Sequence, residues 1–206
     1  MDKLVRQIAK LKRSVAGKKI RKRAAEFRQL GKKSSRELFK ELCFCLLTAN
    51  YSAEGGIRIQ KAVDEGFICL PQGRLAAELR RHGYRFPNVR SKYIVEARKH
   101  MPFLKQNLQG DGKAARVWLV HNVKGLGLKE ASHLLRNIGF EDVAIIDFHI
   151  VDLLVDNKLI GRPKTLTPKK YLAVERVLEK LALKAKINLA ELDLYLWYME
   201  TGKILK

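Results

Sequence analysis

Cysteine is scarce in this chain, with Cys43, Cys45 and Cys69 as the whole complement. An odd count without framework spacing excludes a disulfide-stapled secreted domain and points to a reducing compartment. No Cys-x-x-Cys pair occurs, and three cysteines cannot complete a four-cysteine iron–sulfur cluster. The histidines are scattered, so a zinc site is not expected, and neither metal nor organic cofactor is implied. Long hydrophobic runs are missing too. The longest lies near CFCLLTA, well short of the roughly 20 residues that span a bilayer. The first residues, MDKLVRQIAK, lack the apolar stretch and cleavage site of a signal peptide, so a soluble cytoplasmic protein is expected. No convincing alternation of apolar and polar residues marks a half-buried strand. Internal repeats and low-complexity tracts are likewise absent.

Acidic residues are the other deficit. Only 21 Asp+Glu stand against 42 Lys+Arg, a formal net charge of +21 over 206 residues. At 47% hydrophobic the chain is too apolar to be disordered, and it is long enough to bury one large core or two small ones. A charge excess of this size repels itself, and folding alone would not select it. It implies a polyanionic partner, most simply nucleic acid, with an acidic membrane surface as the alternative.

The basic excess begins at once. Residues 1–40 hold 15 Lys+Arg against Asp2, Glu26 and Glu37. Leu4, Ile8 and Leu11 recur at helical spacing, so residues 1–33 read as a basic amphipathic helix. It either packs by its apolar stripe or serves as a phosphate-contacting arm. Ser34 with Glu37 forms a capping box that starts the next helix, which ends near Thr48-Ala49-Asn50. Glycines 55, 56 and 66 punctuate the next stretch. Leu75 to Leu79 and Tyr93 to Arg98 read as short helices. Pro87 disfavours helical geometry at Phe86 between them. A helix over Gly112 to Asn122 precedes a glycine turn, and a second runs from Leu128 to Ile138, stopped by Gly139. Asp147 precedes an apolar helical stretch, Ile150 to Val155. Thr167-Pro168 and Asn188 with Glu191 start the last two helices. The pattern is all-α, built from many short helices.

The segment His121-Asn122-Val123-Lys124-Gly125-Leu126-Gly127-Leu128-Lys129 carries the chemistry. Helix, Gly-x-Gly turn, helix is a helix-hairpin-helix. Gly125 and Gly127 permit a sharp turn and leave no side chain between the backbone N–H groups and a ligand. The turn opens a helix whose N-terminal dipole favours an anion, and a DNA phosphate fits there without sequence readout. Such a turn alone is most often merely a turn, but two residues single this one out. Lys129 lies in the first helical turn, where a cation is electrostatically disfavoured and the neutral, nucleophilic amine is favoured. Asp147 lies eighteen residues later, separated by one helix and a turn, so the chain can fold back and bring the two together. By itself Asp147 reads as a helix N-cap.

At these residues the sequence resembles a known family. Gly-x-Gly-x-Lys followed by Asp-x-His is the pattern of helix-hairpin-helix DNA glycosylases that also have lyase activity. KEASHLLRNIG (129–139), AIIDFHI (144–150), CLLTAN (45–50), YRF (84–86), LWYMET (196–201) and Lys206 are together similar to the archaeal 8-oxoguanine DNA glycosylases. The missing cysteine cluster separates the chain from relatives with iron–sulfur clusters. The resemblance implies two helical lobes with DNA in the cleft, one of residues 34–139 and one of 1–33 plus 140–206. It implies that Lys129 attacks C1′ of the damaged nucleotide and that Asp147 stabilises the cationic sugar. Reaching C1′ requires the nucleotide to be flipped out. Asn50 matches the position that serves the vacated space, and its simpler reading is a helix stop. Phe86 and Trp197 match aromatics that sandwich the base, and Lys206 matches a lysine that contacts the lesion. The N7–H of 8-oxoguanine needs an acceptor, for which the carboxylate of Lys206 and a carbonyl near Phe86 are both candidates. Asp193 either binds the base or faces solvent. Val123, Gly125, Gly127 and His149 match phosphate-facing positions. Phe148 departs from the family pattern, which usually has Arg there.

The implied activity is excision of 8-oxoguanine from duplex DNA through a lysine Schiff base, followed by β-elimination. Damaged double-stranded DNA is the implied partner, with a monomer and no required protein partner. Two rivals stand beside it: a glycosylase/lyase for another oxidised base, and a non-catalytic helix-hairpin-helix DNA-binding module.

Overall fold

Side-chain oxygens start most of the helices. Ser14, Ser34, Ser52, Asp111, Asp147, Thr167 and Asn188 each accept a hydrogen bond from the backbone N–H three residues on. In the computed structural model, which describes residues 1–206, the chain is all-helical. The helices are α1 (Asp2–Lys12), α2 (Val15–Gly31), α3 (Ser35–Thr48), α4 (Ala53–Val63), α5 (Gly66–Cys69), α6 (Gln72–Arg81) and α7 (Pro87–Ala97). After a 3-10 turn over Arg98–Phe103 come α8 (Leu104–Asn107), α9 (Gly112–Asn122), α10 (Leu128–Asn137), α11 (Phe148–Asp156), α12 (Pro168–Ala185) and α13 (Leu189–Thr201). None is long and apolar enough to cross a membrane.

Two local expectations fail for identifiable reasons. The single N-terminal helix is broken at Ser14, whose hydroxyl donates to Leu11 O at 2.7 Å and accepts from the Gly17 N–H. A side chain at Gly17 would collide with the α1 carbonyls, so glycine there permits the tight corner. Gly55 and Gly56 do not interrupt the chain but lie inside α4. Cβ atoms there would press on Tyr51, Phe44 and Thr48, so these glycines let α4 approach α3 closely. The cost of glycine within a helix, about 0.5–1 kcal/mol, is offset by that packing.

Apolar side chains divide into two cores. One contains Leu38, Phe39, Phe44, Ile59, Phe67, Leu119 and Leu135 among its 27 buried residues, drawn from the chain between the start of α3 and Val143, just past α10. The other joins Leu4, Ile8, Ile20 and Phe27 of α1 and α2 to α11, α12 and α13, beginning again at Ala144. The hand-over between cores therefore falls between Val143 and Ala144, four residues beyond the boundary at 139. Phe140 also packs on the first core. Some of the N-terminal charge is used structurally. Lys12 Nζ donates to the Ala185 and Lys186 carbonyls at 3.2 Å, and Arg21 donates to the Lys12 carbonyl at 2.9 Å. Cations at helix C-termini satisfy the unpaired carbonyls there.

A buried polar network spans the cores and steadies the run before Asp147. The Arg116 guanidinium binds Glu175 through both nitrogens, at 2.6 and 2.7 Å. Glu175 also accepts from Ala144 N at 2.8 Å. The Tyr171 hydroxyl donates to Ala144 O at 2.7 Å and accepts from Ile146 N at 3.2 Å. Three backbone groups of the non-helical 144–146 run are thereby held from α12.

Candidate active site

The α9–α10 turn has the geometry an anion needs. Gly125 has φ +93°, and a Cβ there would strike the Tyr93 ring, so glycine is required for both conformation and space. Gly127 has ordinary backbone at φ −91° and caps α10 without a side chain. A Cβ at Gly127 would meet only the end of Glu130, so its value is openness in front of the first helical N–H groups. Val123 is buried, so only its backbone is available to a ligand. Lys124 extends over the Tyr93 ring at 5.6 Å.

Lys129 sits in the first turn of α10, 3.7 Å from Glu130 Oε1. Chain reversal through residues 138–146 brings Asp147 into the same cavity, whose volume is about 410 Å³, within the range of small-ligand sites. His149, Asp193, Trp197 and Lys206 line it as well. Six of the sequence-predicted residues thus converge from α10, the start of α11, α13 and the segment after it. Asp147 also caps α11, with Oδ1 3.0 Å from Ile150 N, so its two readings are compatible: the cap holds the carboxylate at the cavity. A larger groove of about 530 Å³ lies between α1, α11 and α13 and holds none of these residues.

Asp193 neither projects freely into the cavity nor faces solvent. Its Oδ2 is 2.6 Å from Arg136 Nη1, with both side chains largely buried. Burial pushes its carboxyl up to about 6; Arg136 and Lys129 oppose the rise, and Asp147 adds to it. Arg136, which sequence reasoning overlooked, lines the cavity too, with Nε bonded to Asn137 and its guanidinium 4.8 Å from the Phe27 ring. The only hint in the sequence is an arginine inside an amphipathic helix, which resembles a solvent-facing one. His133 is packed edge-on against Phe44, and burial, with Arg136 and Lys129 nearby, pushes its imidazole well below the usual range. It is neutral at physiological pH.

Trp197 meets His149 edge-on, with ring centroids 5.4 Å apart, and its indole N–H is buried without a partner. Phe86 and Asn50 stand outside the cavity. Phe86 has non-helical backbone (φ −127°, ψ 55°), packs on the first core and carries the Arg85 guanidinium 5.0 Å from its ring centroid. Asn50 is exposed just past α3 with φ +60°, a conformation asparagine tolerates. A polar bridge joins the regions around them: Arg90 donates to Ala49 O at 3.2 Å and to the Tyr84 hydroxyl at 3.3 Å. Tyr51, which lines the cavity, stacks edge-on with Tyr84. The Lys206 ammonium is turned into the first core, where it binds Glu41. All three cysteines are free, and no group of three metal-binding side chains comes together.

A family profile described as 8-oxoguanine DNA glycosylase matches residues 20–187. The chain belongs to the 8-oxoguanine DNA glycosylase family. Within that family, the 8-oxoguanine DNA glycosylase/AP lyase of Korarchaeum cryptofilum is 50% identical over 209 residues, covering 100% of this chain and 99% of that protein. The corresponding protein of Methanocaldococcus jannaschii is 48% identical over 206 residues. Its crystal structure with a 15mer DNA containing 8-oxoguanine superposes with a TM-score of 0.95, covering 98% of this chain and 99% of that one. The 8-oxoguanine DNA glycosylase of Thermotoga maritima superposes with a TM-score of 0.93 at 44% identity, covering 100% and 99%. Family members similar to this chain come from bacteria as well as archaea, which widens the archaeal resemblance.

Proposed function

We propose that this protein is a bifunctional DNA repair enzyme that excises 8-oxoguanine from duplex DNA and then cleaves the strand as an AP lyase. The convergence of Lys129 and Asp147 in one cavity directly behind the Gly-x-Gly turn carries this reading. The turn supplies N–H groups for a backbone phosphate. The first core, through Val143, and the second, residues 1–33 plus the chain from Ala144 onward, act as two lobes with DNA across the cleft. The remaining surface cations supply affinity without choosing the site. The enzyme acts as a cytoplasmic monomer on damaged double-stranded DNA.

In the reaction, the lone pair of the Lys129 amine attacks C1′ of the extruded nucleotide. The glycosidic bond breaks with its electron pair leaving on the base, which takes up a proton. Asp147 stabilises the positive charge that develops on the sugar. Loss of the amine proton and opening of the sugar ring leave a Schiff base on Lys129. Removal of a C2′ proton then expels the 3′ phosphate by β-elimination. His133, kept neutral by burial, adds no further positive charge beside Lys129. Trp197 offers a face to the base, and Phe86, outside the cavity, is the second aromatic proposed to stack on it. Asn50, exposed at the end of α3, enters the space the nucleotide leaves. His149 faces a phosphate, and Asp193, locked to Arg136, shapes the floor. Lys206 borders the base with its main chain.

Borohydride should trap a covalent adduct between the protein and a duplex containing 8-oxoguanine, and Lys129→Gln should abolish it. Trapping that survives Lys129→Gln removes Lys129 as the nucleophile. Failure to trap or cut any lesion duplex favours the binding-module reading instead.

A further inference from the structure

Glu41 is a carboxylate with no place in the chemistry above, yet its side chain in the middle of α3 is only 3% exposed. A buried carboxylate persists only where its lone pairs are satisfied. Glu41 Oε1 accepts from Asn137 Nδ2 at 2.6 Å. Its Oε2 accepts from Gln60 Nε2 at 3.1 Å and from Lys206 Nζ at 2.7 Å. Lys206 is the one cation paired with it. The same ammonium donates to Gln60 Oε1 and lies 4.4 Å from the Phe44 ring centroid.

These contacts tie the segment after α13 across to the other core. Gly202 ends α13 with φ +70°, and Lys203 Nζ then reaches Glu54 Oε1 on α4 at 2.7 Å. The Lys203 pair is exposed and holds little. The Lys206 contact is buried on its Glu41 side and only 20% exposed on the lysine side, and it is the one that secures the segment. Leu205 and Lys206 line the reaction cavity, while Glu41, Gln60 and Lys206 line a separate groove of about 330 Å³. Lys206 is thus the partition between the two spaces, and Glu41 stands behind it.

We propose that Glu41 is a positioning residue that grips the Lys206 ammonium from behind and fixes the 203–206 segment as the wall against which the extruded base is seated. This rests on the glycosylase reading above. It requires the two activities to separate. Excision must seat a base against the wall, whereas strand cleavage at an abasic site has no base to seat. Lys129 and Asp147 are carried by other elements and remain in place.

Single-turnover rates on two duplexes, one with 8-oxoguanine and one with an abasic site, test this with Glu41→Gln and Gln60→Leu. Gln60 is only partly buried, so its variant folds even if the α3 variant does not. Displacing the wall by about 1 Å should slow excision roughly 10- to 100-fold in Glu41→Gln, with a smaller loss in Gln60→Leu. Abasic-site cleavage and borohydride trapping on the abasic duplex should stay within about two-fold of wild type. Selective loss of excision in either variant supports the role. An equal fall in both activities in both variants, or no fall in either, overturns it. If the wild-type protein itself fails to excise 8-oxoguanine, the glycosylase reading has failed first, a result visible before any variant is compared.

Discussion

Two ion pairs of equal length give opposite expectations for stability. Arg116–Glu175 and Lys113–Glu179 both close to 2.6 Å. The first has both side chains 3% exposed, whereas the second is 53% and 35% exposed. Arg116→Met leaves Glu175 charged in the interior, still bonded to Ala144 N but without a counter-charge. Breaking a buried pair from one side costs about 3–5 kcal/mol. For a protein of this length that corresponds to a fall in Tm of roughly 6–20 °C. Lys113→Ala should cost about 0–1 kcal/mol, because water already solvates both partners. Pairing Arg116→Met with Glu175→Leu removes the stranded charge, at a cost of about 1–3 kcal/mol for the unpaired Ala144 N–H. The double variant should therefore be more stable than Arg116→Met alone. Urea unfolding of the three variants beside wild type measures the free energies, and thermal melts measure the fall in Tm. If Arg116→Met costs no more than Lys113→Ala, burial does not govern the pair and the reasoning is wrong.

The site gives two further outcomes. Gly125→Ala should weaken binding to undamaged duplex and cost about 1–3 kcal/mol in stability, since φ +93° and the Tyr93 ring both reject a side chain, whereas Gly127→Ala should keep near wild-type stability in the same melts. Asp193 gives a pH signature. Its folded pKa of about 6 lies above the unfolded value, so its contribution favours the fold fully below about pH 4 and is lost as pH rises through about 6. Relative to Asp193→Asn, wild type should lose about 3 kcal/mol of unfolding free energy across that window. A difference that stays flat with pH would show that the carboxyl titrates normally.

Local features were readable from the sequence because their causes are local. Ser34, Asp147, Thr167 and Asn188 cap helices through contacts three residues away, and Gly125 sits where the turn demands it. Those marks also placed Lys129 in a first helical turn. Glycine in α4 misled because a breaker and a close-packing residue look alike until the neighbouring helix is known. The split at Ser14 was hidden because the apolar spacing of α1 continues past it.

Charge was the other blind spot. Nothing local in the sequence marks Arg116, Arg136, Glu41 or Glu175 as interior residues, and each is buried. By itself the sequence determined an all-helical chain, a polyanionic partner, a glycine turn and the candidate pair Lys129 and Asp147. Only the tertiary structure decided that those two share a cavity, that Asp193 is paired with Arg136, and that the Lys206 ammonium belongs to Glu41. Caps and turns are short-range bonds written in adjacent residues. The burial of a charge depends on partners brought together from opposite ends of the chain, and no local pattern encodes it.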